Sequence, residues 1–236
     1  MIQIPAVDRP IQFSMSGSSP SERIEPITLD WLKLHQRFPS ANEDTMLTAF
    51  IGAARAYFEE HTGRQLIDAE WEYALDVPPD CQTFFELPRP PLSRVTAILY
   101  EDSDGVAQTW DASNYVVHPS YAPANEGSPD DPIVFDPYCP CGRLALASGG
   151  SWPSTSGRPG SFKIRRVCGY GPADTDMPPL IQGTIALLVQ HFRDRDKGEL
   201  PAGPDALIKG FKWSAIQNCP PVRTWPWTVP STCGWQ

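Results

Sequence analysis

The chain has 236 residues, 41% of them hydrophobic and 11% aromatic, so it is long enough to bury one core or two small ones. With 28 acidic against 19 basic residues it carries a net charge of −9, which argues against a broad basic surface that would wrap nucleic acid. Its 27 prolines, about twice the usual share of 5%, point to short elements and long ordered connections, because proline is shut out of helix interiors and central strands.

Residues 1–27 are rich in Pro and Ser and show neither a helix nor a strand period. They read as an extended N-terminal arm, and their scattered charges (Asp8, Arg9, Glu22, Arg23, Glu25) are unlike a signal peptide. Thr28 is placed to cap a helix over residues 28–38 that buries Leu29 and Leu32 and is ended by Pro39. Ser40 to Glu43 has the spacing of a capping box for a second helix over 43–62. Along it Met46, Leu47, Phe50, Ile51, Ala54, Tyr57 and Phe58 form one apolar stripe, and Gly63 suits the left-handed terminator.

From Leu66 the period changes to two, with Trp71, Tyr73 and Leu75 alternating with Glu70, Glu72 and Ala74. Further strands are expected at Phe84–Leu87, Val95–Tyr100, Gln108–Trp110, Tyr115–His118, Ile133–Phe135, Leu144–Leu146 and Phe162–Tyr170. Asp102-Ser103-Asp104-Gly105 has the turn chemistry of a hairpin. The Pro-rich stretch from Pro119 to Gly142 reads as a surface excursion. A third helix is expected over 178–197, capped by Asp176, with Leu180, Ile181, Ile185, Leu188 and Phe192 on its stripe and Arg193, Arg195 and Lys197 at its C-terminal end. A short fourth helix over 204–211 carries Leu207, Ile208 and Phe211.

The predicted class is therefore α+β: a bundle of about four helices with an antiparallel β insertion (66–170) between the second and third, flanked by arms at 1–27 and 212–236. The longest wholly apolar run, Ile185–Val189, is far too short for a membrane span, so a soluble chain made in a cytoplasm is expected.

The chemistry-bearing residues form no catalytic pattern. Cys139 and Cys141 are the only close cysteine pair among six, lack a second ligand pair, and read as loop thiols; no metal and no cofactor is expected. Gly149-Gly150-Ser151 lacks the lysine and the helix of a phosphate loop. Eight Trp and seven Tyr in an acidic chain raise a second class, a carbohydrate-binding or glycan-hydrolysing module with Glu59-Glu60 or Asp130-Asp131 as its carboxylates, although solvated charge is the simpler reading.

Three stretches carry a resemblance. They are Thr28-Leu29 through Ala53-Ala54-Arg55 to Thr62-Gly63-Arg64-Gln65-Leu66, the strand opening Leu87-Pro88-Arg89-Pro90-Pro91-Leu92-Ser93-Arg94-Val95, and Gly169-Tyr170-Gly171 followed by Pro178-Pro179-Leu180. In this order, over about Thr28 to Phe211, the chain resembles the head-tail connector (adaptor, or head-completion) proteins of long-tailed bacteriophages and gene transfer agents. The resemblance implies a non-enzymatic virion subunit at the head-tail interface, assembled as a ring, commonly of twelve copies, between the portal and a stopper or tail-side protein. Double-stranded DNA would pass through the ring without sequence-specific binding.

It also directs attention to two groups of residues. The segment after Phe211 has four tryptophans, no acidic residue and a docking composition, which makes Lys212, Trp213, Arg223, Trp225, Trp227 and Trp235 candidates for the portal interface. Arg193, Arg195 and Lys197 are candidates for channel or ring contacts, although charges alternating with Asp194 and Asp196 commonly mark a solvated helix end.

Overall fold

A computed structural model describes residues 7–12, 24–37, 41–78, 84–118, 142–171, 174–194 and 202–212. Its helices are α1 (Leu29–Gln36), α2 (Asp44–Thr62), α3 (Pro179–Arg193) and α4 (Ala202–Phe211). The strands are β1 (Val7–Gln12), β2 (Ala69–Leu75), β3 (Phe84–Glu86), β4 (Leu92–Glu101), β5 (Ala107–Trp110), β6 (Tyr115–His118), β7 (Arg143–Leu146) and β8 (Phe162–Cys168). The fold is α+β, with β2 to β8 inserted between α2 and α3 as the sequence pattern predicts. The expected strand at Ile133–Phe135 and nearly all of the Pro-rich excursion lie outside the described residues.

The helix ends show local chemistry at work. The Thr28 hydroxyl accepts from Trp31 N at 3.2 Å, and α1 stops at Arg37, which takes the left-handed conformation (φ 55°), so the stop comes before Pro39. Gly63 ends α2 with φ 68° and donates to Glu59 O at 2.9 Å. Two expected caps are different. Ser40 lies outside the described residues, and Glu43 closes a 3-10 turn with its carboxylate turned to Arg193. Asp176 sits in a 3-10 turn, leaving Pro178 to open α3 without a side-chain cap. α3 ends at Arg193, and residues 195–201 lie outside the described part.

Within residues 1–27, expected as an extended arm, two features are described. Val7–Gln12 is a strand that pairs antiparallel with β2, its Pro10 tolerated because an edge strand has a free side. Ile27 is buried in the helical core at 1% exposure.

One sheet has the order β1-β2-β8-β4-β5 and a second the order β3-β7-β6. The β4–β5 hairpin forms where the turn signal placed it: Asp102 Oδ1 accepts from the amides of Asp104 and Val106 at 3.0 and 2.9 Å, and Gly105 has φ 83°. Two clusters of buried residues result. Leu32, Leu47, Ile51, Phe58, Ile181, Ile185 and Leu188 belong to the helical one, while Trp71, Leu92, Ile98, Trp110, Leu144, Phe162 and Ile164 join the two sheets.

Candidate interaction surfaces

Residues between the two cores cross in a narrow junction. Ile67 bridges Gly171, Asp68 N donates to Gly171 O at 3.1 Å, and Tyr170 N donates to Leu66 O at 2.9 Å. Gly169 and Gly171 have φ of 144° and 156°, and a Cβ on either would collide with Asp68 or Asp176 respectively. Glycine is needed here for both conformation and space. Burial pushes the Asp68 carboxyl up, Arg94 pulls it down, and the nearby Asp176 carboxylate adds to the rise. Its Oδ1 is buried without a hydrogen-bond partner.

Two arginines are fully buried. Arg64, 1% exposed, donates from Nε to Phe211 O at 2.6 Å and from Nη1 to the Tyr170 hydroxyl at 2.9 Å, with its guanidinium 5.5 Å from the Phe211 ring centre. It thereby ties the end of α2 to the end of α4. Arg166, 0% exposed, donates to Pro88 O at 3.2 Å and lies 5.4 Å from the Tyr73 ring centre. A signal for Arg166 exists in the sequence: it shares the two-residue period of Phe162, Ile164 and Cys168, all buried. Arg64 has no such signal.

On β2, Glu72 accepts from Arg9 Nε at 3.0 Å and from Arg165 Nε at 3.2 Å. Burial would raise its carboxyl, but the hydrogen bonds from the two arginines hold it below the usual range. The partner strand β1 is therefore fastened by an ion pair as well as by its backbone ladder.

The sequence-nominated residues fare unevenly. Arg193 is described and engaged within the subunit, donating from Nε to Glu43 Oε2 at 2.8 Å, which joins the end of α3 to the start of α2. Its hydrogen bond holds the Glu43 carboxyl below the usual range. Arg195 and Lys197 lie outside the described residues. Lys212 is exposed directly after α4, next to the Arg64–Phe211 anchorage. Trp213, Arg223, Trp225, Trp227 and Trp235 lie outside the described residues.

Residues proposed for glycan chemistry have structural uses. Trp71 and Trp110 are buried in the sheet core, with Trp152 packed against it at 5.3 Å from the Trp110 ring centre. Glu59 accepts from Arg55 Nη1, Gln65 Nε2 and Leu66 N, each at 3.0 Å, so it braces the α2 terminus rather than facing a cleft. Burial pushes its carboxyl up against the pull of Arg55. Asp130 and Asp131 lie outside the described residues, as do Cys139 and Cys141. Among the described residues no group of three or more His, Cys, Asp or Glu is placed to hold a metal, and no helix is long and apolar enough to cross a membrane.

What the described surface does offer is apolar side chains with no cover. Leu34 on α1 is 81% exposed, and Leu180 and Leu187 on α3 are 44% and 37% exposed. The last two lie seven residues apart on one helix face.

No family model matches the chain, and no curated protein sequence matches it. Solved structures do share its fold. A chain in the virion of a native gene transfer agent (GTA) particle superposes with a TM-score of 0.63 and 19% identity over 89% of this chain and 96% of that one. A chain in the neck of an empty GTA particle, computed with C6 symmetry, gives 0.61 and 19% over 91% and 100%. A chain in the neck of a native GTA particle, computed with C12 symmetry, gives 0.54 and 21% over 84% and 100%. The resemblance read from the sequence motifs is thus met by the fold, helices and β insertion together.

Proposed function

We propose that this chain is a structural, non-enzymatic subunit of the neck of a GTA-like or long-tailed phage particle. The observation that carries the reading is the fold match, which spans nearly the whole of this chain and all of a neck chain rather than one common motif. In this reading the subunit forms an adaptor ring, of twelve copies, beneath the portal and above a stopper or tail-side protein, and DNA passes through its centre. The helices line the channel, while the sheets and the excursion at 119–142 face outward. An acidic chain suits that place, since a lumen of net negative charge lets DNA slide without gripping it.

The segment from Lys212 to Gln236 is the anchor to the portal. Its tryptophans and Arg223 are side chains common in interface hot spots, and Pro220, Pro221, Pro226 and Pro230 reduce the entropy lost on docking. The isolated subunit is monomeric and closes into a ring on the portal, which supplies the effective concentration that lateral contacts alone lack. Truncation after Phe211 tests this: the fold should keep near-wild-type melting while attachment to portal-bearing heads fails. Normal attachment by the truncated chain would refute the anchor. A map of the particle neck lacking this fold would refute the function.

A further inference from the structure

We infer that the back of α3, centred on Leu180, Gly183 and Leu187, is a lateral contact that docks on the back of α2 of a second copy of this chain. The inference rests on the neck-ring reading above and adds to it the two faces that meet. It begins from a helix face that the subunit leaves unfinished. Ile181, Ile185, Leu188 and Val189 bury one side of α3, while Leu180 and Leu187 stand on the other side at 44% and 37% exposure. Spacings of three and four align Leu180, Gly183 and Leu187 along one line of the helix.

Gly183 sharpens the point. A glycine inside a helix is less favourable than alanine, so its place there normally answers a steric need. Here a Cβ would meet nothing within 4 Å, so no neighbour among the described residues requires the glycine. A notch between two projecting leucines is suited to a backbone approaching from outside.

The same chain carries a matching face. Thr45, Ala49, Ala53 and Ala56 recur at helical spacing along α2 and are all exposed. Opposite them on the same helix, Leu47, Ile51, Ala54 and Phe58 are buried in the cluster that also holds Ile181, Ile185 and Leu188 of α3. Because α2 and α3 are packed through those inner faces, their backs point to opposite sides of the bundle. A smooth alanine face receives projecting leucines at close interhelical distance, as ridges enter grooves.

A closed ring of identical copies needs a head-to-tail contact, made by two different patches on one subunit. The leucine face of α3 and the alanine face of α2 meet that requirement, one projecting and one smooth, on opposite sides. A single foreign partner on α3 would leave the α2 face without a role. A second copy accounts for both.

The test uses the full chain assembled into its particle, with a photo-reactive phenylalanine analogue in place of Leu187. Illumination should give a covalent dimer at about twice the 26.1 kDa subunit mass. Its cross-linked peptide should carry Ala49 to Ala56 of the other copy. Cross-linking to a different protein, to another segment of a copy, or to nothing would overturn this interface while leaving the neck reading intact.

Absence of the chain from particles would overturn both. In parallel, Leu187→Asp and Ala53→Asp, each at an exposed position, should leave monomer melting unchanged yet lower the copies retained per particle by about tenfold. Retention at the wild-type level would count against the contact.

Discussion

The helical and sheet cores are both mainly aliphatic but place their buried charged side chains differently. In the helical core Arg64, the one fully buried cation there among the described residues, is a clasp between α2, α4 and Tyr170. In the sheet core Trp71, Trp110 and Phe162 are buried among leucines and isoleucines, Arg166 is buried at its edge beside Tyr73, and Glu72 is buried on the other face of β2. On α2 and α3 the backs carry exposed Ala53 and Leu187, while ion pairs such as Arg193–Glu43 tie the helix ends together; on the sheet Arg9 and Arg165 fasten β1 and β8 to β2 through Glu72.

That contrast predicts two lesions of equal size and different reach. Phe58→Ala and Phe162→Ala, at positions 0% exposed, should each cost about 3–5 kcal/mol in denaturant unfolding. Because the two clusters share no residue, hydrogen exchange should report lost protection chiefly in α2 and α3 for the first and in β2, β4 and β8 for the second. Uniform loss across both modules would show that the junction at Leu66–Ala69 and Gly169–Gly171 makes them one cooperative unit.

Arg64→Met is the next largest effect. It keeps the apolar stem and removes the donors to Phe211 O and the Tyr170 hydroxyl, at a cost of roughly 2–4 kcal/mol. Exchange should quicken first in α4, which would identify Arg64 as the clasp of the bundle; an α4 as protected as in the wild type would contradict that role.

Glu72→Gln probes the sheet side. The ionised Glu72 has a folded-state pKa below its unfolded one, so its stabilisation is present above the ordinary carboxylate range and lost as pH falls through the lowered value. The variant should therefore be about 1–2 kcal/mol less stable at neutral pH, and the gap should close on acidification. β1 amides should lose protection before those of β2.

The smallest effect is expected at the junction. Asp68 has a raised folded-state pKa, so its protonated form is the favoured one: that contribution is full below the unfolded value and disappears as pH rises through the folded value. Asp68→Asn should raise the melting temperature modestly at neutral pH and leave it unchanged once Asp68 itself is protonated. A lower melting temperature at neutral pH would show that the carboxylate is held by Arg94 more than it is penalised by burial.

Some of this protein could be read from sequence because a helix or a hairpin is a local object. The stripe from Met46 to Phe58, the Gly63 terminator and the Asp102–Gly105 turn each lie within one segment, and each appears in the structure at its predicted place. The alternation around Trp71 and along β8 likewise sets which side chains share a face. Caps were less secure, since Glu43 serves Arg193, 150 residues away, instead of its own helix start.

Only the tertiary structure decided the rest. β1 has no alternation of its own and becomes a strand through β2, fastened by Arg9 to Glu72 across 63 residues. The splitting of the strands into two sheets follows from which edges meet, a property of no single segment. Arg64 is buried because Phe211, 147 residues away, presents a carbonyl that a cation can satisfy. The exposed backs of α2 and α3 become two opposite faces only once their inner sides are packed together. Periodicity fixes what each segment offers, and long-range pairing fixes which of those offers is taken up, because burial of a charge or an edge is favourable only when its partner has already been brought alongside.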